Sequence, residues 1–295
     1  MLFCFLEVFM NTKTSIRFFN NNPVRARWDE ESLSWWYAAI DVVNALVSTK
    51  NARVYWNTFK TRHNELFAFC RQLKLTAADG KRYDTDCLNQ NGVNTLVLML
   101  PTKERLAFSN WIRGLSDPID EQSKKRAYEL YENSILENTE IGTLKGLQQI
   151  HAFLFDGLFD FAGKIRNKNI SKGGFAFANC MYFDSIFENI EKMPETTVDE
   201  IIDKYIEMNI AHPFMEGNGR STRIWLDVIL KNRIGKCVDW QKIDKNDYLL
   251  AMSKSPVNPS PIKKLICGAL TDKINDREIF MKGIDYSYYY ETIEE

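Results

Sequence analysis

The spacing of apolar positions changes partway along the chain. Over residues 15–115, short aromatic and β-branched runs (SIRFF, LSWWYAAI) stand beside stretches with helical spacing (DVVNALVS, ARVYWNTFKTR). This predicts a mixed α and β domain. The polar NNNPVRARWDEES between the first two runs reads as a turn. LKLTAADGKRYDTD reads as a hairpin around Asp79-Gly80, and PTKERLAFSNWIRGL as a helix. The polar, proline-bearing SDPIDEQSKK marks a boundary.

From about Ile119 onward the spacing is helical nearly throughout. Thr143 to Phe161 carries Leu144, Leu147, Ile150, Leu154 and Leu158 on one face. In ETTVDEIIDKYIEMNIA, Thr197 and Glu200 form a capping box ahead of Ile201, Ile202, Tyr205 and Ile206. NISKGGFAFANCMYF is the exception, alternating around Gly173-Gly174 as a short hairpin. The expected architecture is a mainly α chain: a tail over 1–14, an α+β domain over 15–118 and a helical domain over 119–295. No internal repeat breaks this plan.

Composition narrows the function classes. With 38 basic and 39 acidic residues the net charge is -1, so no global field recruits nucleic acid. The split near Asp120 leaves 15 basic and 12 acidic residues before it and 23 and 27 after, a weak asymmetry. Six scattered cysteines without a CxxC pair predict a reducing cytoplasm and no structural zinc. The opening MLFCFLEVFM lacks a basic leader and a cleavage site and is too short for a membrane span, and no other segment is expected to cross one. Met10 offers an alternative start to Met1.

The chemistry concentrates in AHPFMEGNGRSTRIW, Ala211 to Trp225. Pro213 disfavours helical geometry at His212, so the preceding helix should stop there. Gly217, Asn218 and Gly219 have the make-up of an anion-binding nest, and the helix that follows presents its free N–H groups to an anion. Arg220 and Arg223 share a face on its first turn and can grip phosphate oxygens. Glu216 is placed to hold Mg2+ bridging those oxygens, and His212 to take a proton from a hydroxyl. Neither a Walker A motif nor a G-x-G-x-x-G fingerprint occurs. Each group alone has an ordinary structural reading. Of the other histidines, His151 reads as packing or capping in the helical core and His63 as exposed.

This run matches the Fic signature HPFx[DE]GNGRxxR at every specified position. From about Ile119 to the C-terminus, including IHAFLFDGLFDFAGKIRNKNISKGGFAFAN, the chain resembles Fic proteins, most of which transfer AMP from ATP to a target hydroxyl and release pyrophosphate. The resemblance implies an all-helical Fic domain with a small hairpin flap. It makes His212 the general base, Phe214 an apolar anchor and Glu216 the Mg2+ ligand. The amides of Gly217, Asn218 and Gly219 would cradle the α- and β-phosphates, with Arg220 on the β- and Arg223 on the γ-phosphate. Residues 169–183 resemble the flap on which Fic enzymes dock a target protein strand. Lys172 there lies either close to the nucleotide or on a solvated hairpin tip.

Near the end of the chain, Ser287 and Glu291 in SYYYET are four apart and share a helical face. The pattern resembles the Fic inhibitory helix [ST]xxxE[GN], whose glutamate pairs with the second motif arginine, here Arg223. Its place at the end of the chain resembles the single-chain class that carries this helix last. Thr292 departs from the Gly or Asn of that pattern, and SILEN at 134–138 is one residue too short to match. Release of the helix would expose Tyr288 to self-modification.

Residues 15–115 resemble the BRO-N type domain of phage antirepressors, through spaced aromatics and QLKLTAADGK. That resemblance implies DNA or a protein as the partner, with Arg53, Lys60 and Arg62 as either a phosphate-contacting or a solvated face. Oligomeric state, a homo-oligomer included, stays open. Against AMP transfer stand a Doc-type kinase, which carries Lys where this chain has Gly219, and a DNA-binding regulator with a silent Fic scaffold.

Overall fold

The computed structural model describes residues 14–291 apart from 21, 30, 33, 78–79, 113–117 and 173–174. The chain forms two compact units, Met1–Ser116 and Asp117–Glu295. The tail over 1–13, the tips at Asp79 and at Gly173-Gly174, and Thr292 lie outside the described residues.

In the first unit the order is β1 (Thr14–Phe19), β2 (Asn22–Asp29), β3 (Ser34–Ala38), α1 (Ala39–Leu46), α2 (Ala52–Arg62), β4 (Cys70–Thr76), β5 (Arg82–Leu88), α3 (Gln90–Met99) and α4 (Arg105–Ile112). The strands make one antiparallel sheet in the order β1-β2-β3-β5-β4. The expected turn NNNPVRARWDEES is in fact the second strand, pairing Ile16 with Arg25 and Ala26 with Tyr37. Its alternation is of small against charged residues: Val24 and Ala26 are buried, while Arg25 is held by Asp41 through a backbone and two guanidinium bonds. The core gathers Val42, Val43, Trp56, Leu88, Val93 and Leu96. Lys60 is not free to join Arg53 and Arg62 in a phosphate face, because it pairs with Asp86 at 2.5 Å beside the Trp56 indole.

The second unit runs α5 (Pro118–Glu132), α6 (Leu144–Phe155), β6 (Ser171–Lys172), β7 (Phe175–Ala176), α7 (Phe183–Lys192), α8 (Val198–Ala211), α9 (Asn218–Ile234), β8 (Cys237–Val238), α10 (Lys245–Lys254), α11 (Ser260–Ala269), β9 (Leu270–Thr271) and α12 (Arg277–Glu291). The helix expected over Thr143–Phe161 stops at Phe155, leaving Leu158 in the turn beyond it. Thr197 and Glu200 cap α8 reciprocally. The unit is not wholly helical outside its hairpin, since β8 pairs with β9.

At its centre lies α9, buried on nearly every side through Trp225, Leu226, Ile229 and Leu230. A helix buried on nearly every side must be enclosed by others, and α6, α8 and α12 pack against it. That enclosure fixes the N-terminal turn of α9, which carries the motif. Among the described residues no helix is long and apolar enough to cross a membrane, and the cysteines are free thiols.

Candidate active site

The loop Pro213–Gly217 joins the end of α8 to the start of α9. His212 caps α8 in the left-handed region (φ +51°), and the helix stops there, as expected from Pro213. Its Nδ1 faces the Asn209 carbonyl at 3.3 Å, a donor's position, which leaves Nε2 as the acceptor. Phe177, just beyond β7, stacks on the ring with centroids 3.7 Å apart. Burial lowers the His212 pKa to about 4, so the ring is neutral at pH 7.

Asn218 closes the loop by its side chain: its Oδ1 accepts from Phe214 N–H and its Nδ2 donates to Phe214 O, both at 2.8 Å. Gly217 caps α9 at φ +78°, where a side chain would strike the Phe155 ring at 2.5 Å. The N–H groups of Asn218, Gly219 and Arg220 precede the first intrahelical bond, Ser221 N–H to Gly217 O, and have no helical acceptor. Of the three cradle amides read from the sequence, Gly217 N–H is already taken, donating to Glu216 Oε1 at 2.9 Å.

The two arginines diverge although they share a face. Arg220 donates to Asp120 on α5 and to Glu216 (3.1 Å), and its guanidinium lies over the Phe155 and Tyr288 rings. Its Nε–H is buried without a partner among the described residues. Arg223 turns to α12: Nε donates to Ser287 Oγ at 2.7 Å, and Nη2 to Ser287 O at 2.8 Å and to Glu291 Oε1 at 2.6 Å. The Glu291 carboxylate lies against Gly219, where any Cβ would meet Oε1 at 2.2 Å, and Lys172 approaches its other oxygen at 3.7 Å. Burial alone pushes Glu291 up, but Arg223, Lys172 and Arg220 hold it below the ordinary carboxylate value. An anion therefore sits at the first turn of α9, and it is the chain's own.

Glu216 is 55% exposed, with Oε1 committed to Gly217 and Arg220. Among the described residues no cluster of three or more acids, histidines and cysteines exists. One exposed carboxylate at an anion seat fits Mg2+, which commonly takes one or two carboxylates and completes its shell with phosphate and water.

Tyr288 is only 7% exposed, and burial raises its phenol further above the ordinary value. With α12 in place it is therefore not a surface hydroxyl, and self-modification there requires α12 to leave. SILEN is a 3-10 turn remote in pattern from this contact, with Ser134 at its cap.

Several groups carry no signal in the motif. His151 is fully buried, accepting from Gly163 N–H at Nδ1 and donating from Nε2 to Glu216 O, both at 2.9 Å, and it stacks on Phe214. Arg166, buried and with no acidic partner among the described residues, donates to the carbonyls of Lys168, Ala178, Ala211 and His212, tying both stems of the hairpin to the end of α8. Tyr248 and Tyr290 lie on Arg223, 5.5 and 5.4 Å from its guanidinium carbon. Long-range partners such as these leave no local spacing to read.

Residues 142–230 match the Fic/DOC family model. The chain is 28% identical over 180 residues to the "Probable protein adenylyltransferase Fic" of Salmonella typhimurium, covering 55% of this chain and 83% of that one. It is also 28% identical over 175 residues to the protein adenylyltransferase VbhT of Bartonella schoenbuchensis, covering 54% of this chain but 35% of VbhT. Among solved structures, BepC of Bartonella tribocorum with bound AMPPNP aligns at 20% identity and a TM-score of 0.45, over 54% of this chain and 90% of that one. Residues 142–230 thus carry a Fic domain, and its homologues are named protein adenylyltransferases.

Proposed function

We propose that the chain transfers AMP from ATP to a hydroxyl of a target protein, and that α12 restrains this activity. What carries the reading is the conjunction at one helix end of a neutral histidine, unpaired N–H groups and two arginines. In the proposed reaction His212 Nε2 takes the proton of the attacking hydroxyl. The oxygen bonds to the α-phosphorus, and the bond from that phosphorus to the β-phosphate bridge breaks, its electron pair leaving with pyrophosphate. The first-turn N–H groups of α9, with Arg220 and Arg223, would hold the phosphates, and Lys172 would add charge from the hairpin. Catalysis of this kind is mostly positioning and charge stabilisation. Bound by Glu216, Mg2+ would neutralise phosphate charge. The hairpin within 169–183 would hold the target segment by backbone pairing.

The restraint follows from competition. A carboxylate that takes Arg223 and lies on Gly219 occupies donors a terminal phosphate would need. A lysine at position 219, as in the Doc-type kinase, would meet that same carboxylate, so Gly219 favours the transferase reading. The first unit is proposed to carry a separate partner, DNA or protein. Glu291→Gly should raise incorporation of labelled AMP by about tenfold or more, given that each 1.4 kcal/mol of lost competition is tenfold. Mass spectrometry of the products distinguishes added AMP from added phosphate. A variant no more active than wild type would remove the restraint, and phosphate in place of AMP would remove the transferase.

A further inference from the structure

A cavity of about 430 Å³ lies between α9 and α12. Ile224 and Val228 from α9 and Ile279 and Ile284 from α12 line it together with Ser287, while the charged lining residues Glu137, Lys231, Lys273 and Asp276 are exposed. This volume falls in the range of small-molecule sites, which are apolar with a few placed polar groups. Here the placed group is Asp227.

Asp227 is a half-buried carboxylate with two hydrogen bonds and, among the described residues, no ion pair. Its Oδ1 accepts from Val238 N–H and its Oδ2 from the Trp240 indole, each at 2.8 Å. The basic residues four positions away on either side do not serve it: Arg223 is turned to α12, and Lys231 is exposed without an ion pair to it. Each oxygen keeps an unused lone pair beside the cavity. Burial outweighs these two hydrogen bonds and raises this carboxyl to about 7. A buried charge left unpaired costs far more than a paired one, so the group the cavity lacks is a positive donor on an apolar body.

We propose that this cavity binds a small apolar amine, its ammonium on Asp227 and its body between α9 and α12, and that the occupant holds α12 in place. The second part follows from linkage. Part of the site's apolar wall, Ile279, Phe280 and Ile284, belongs to α12, so the ligand binds more tightly while α12 is docked and stabilises that state. The same stretch of α12 presents Ser287 to Arg223. The binding does not rest on the transferase reading; only its consequence, lower AMP transfer when the site is filled, does.

The test uses the full chain at pH 8 with hexylamine as probe and hexan-1-ol as its uncharged counterpart. Calorimetric titration should give saturable amine binding at least about tenfold tighter than the alcohol, a difference of one unit in log Kd. Hydrogen exchange of peptides from α12 should slow in the amine and not in the alcohol. Asp227→Asn should abolish the preference. Ile279→Trp, which fills the cavity from a half-buried wall, should abolish binding even if the first variant does not fold. No saturable binding, or equal binding of amine and alcohol, overturns the site. Saturable binding with unchanged exchange in α12 overturns the linkage. None of these readouts uses ATP, so they stand or fall apart from the proposed reaction.

Discussion

His151 and His212 flank the same loop and share much of their physics. Each is pushed by burial to a pKa of about 4, and each stacks on a phenylalanine, Phe214 and Phe177 respectively. They differ in what is left over. His151 spends both ring nitrogens on backbone groups, so its imidazole is a strut between Gly163 and the carbonyl of Glu216. His212 spends one, on Asn209, and its Nε2 has no partner among the described residues. A depressed pKa therefore does not separate a reacting histidine from a structural one; the count of unsatisfied nitrogens does.

Replacing each ring should split the two roles. His212→Ala should lower AMP transfer by about 10²–10⁴-fold, the usual cost of removing a general base, while nucleotide binding and the thermal midpoint change little. Transfer at the wild-type rate would break the comparison at its functional end. His151→Ala removes two buried hydrogen bonds and leaves a cavity under Phe214. It should cost about 3 kcal/mol of stability, measured by denaturant unfolding. An unaltered midpoint would mean that the loop is held by Asn218 alone.

Between these lies Phe177, the ring that roofs His212 from the hairpin. Phe177→Ala should let water reach the imidazole and raise its pKa toward the ordinary 6.5. Transfer should fall by about fourfold near pH 6 and less at pH 8, a difference read from the pH profile of kcat/KM.

The sequence made the two histidines unequal for a reason only partly physical. His212 stands out because proline, glycines and arginines crowd it within one turn of chain, and Ser287 and Glu291 because a spacing of four puts them on one face. The structure brings Glu291 to Arg223, although nothing in the local pattern encodes a contact across 68 positions. His151, Arg166 and Tyr248 act through carbonyls and rings far along the chain, and a lone histidine in an apolar helix looks the same whether or not it braces a loop. The strand β2 was hidden for another reason: its buried residues, Val24 and Ala26, are small and alternate with Arg25 and Arg27, so it carries little apolar signal. Even so, the helices that cradle the loop, α8 with its capping box above all, were legible from periodicity and caps.

The smallest effect tests what the two histidines share. A ring with a folded pKa of about 4 and an unfolded value near 6.5 stays neutral when folded but takes a proton when unfolded anywhere between those values. The unfolded state then binds more protons, so each ring contributes a loss of stability as pH falls through that window, and none above about 7. At pH 5.5 the loss is about 1 kcal/mol per ring. Bulk denaturation would obscure it, because Asp227, raised to about 7, takes up a proton in the folded state over the same range and acts with the opposite sign. Glu291, held below the ordinary carboxylate value, enters only at lower pH. The decisive measurement is therefore ring by ring, following the imidazole proton resonances of His151 and His212 from pH 8 to pH 5. Both should stay at their neutral positions. If His212 alone titrates near 6.5, the hairpin does not roof it in solution, and the two rings differ in burial as well as in their free nitrogens.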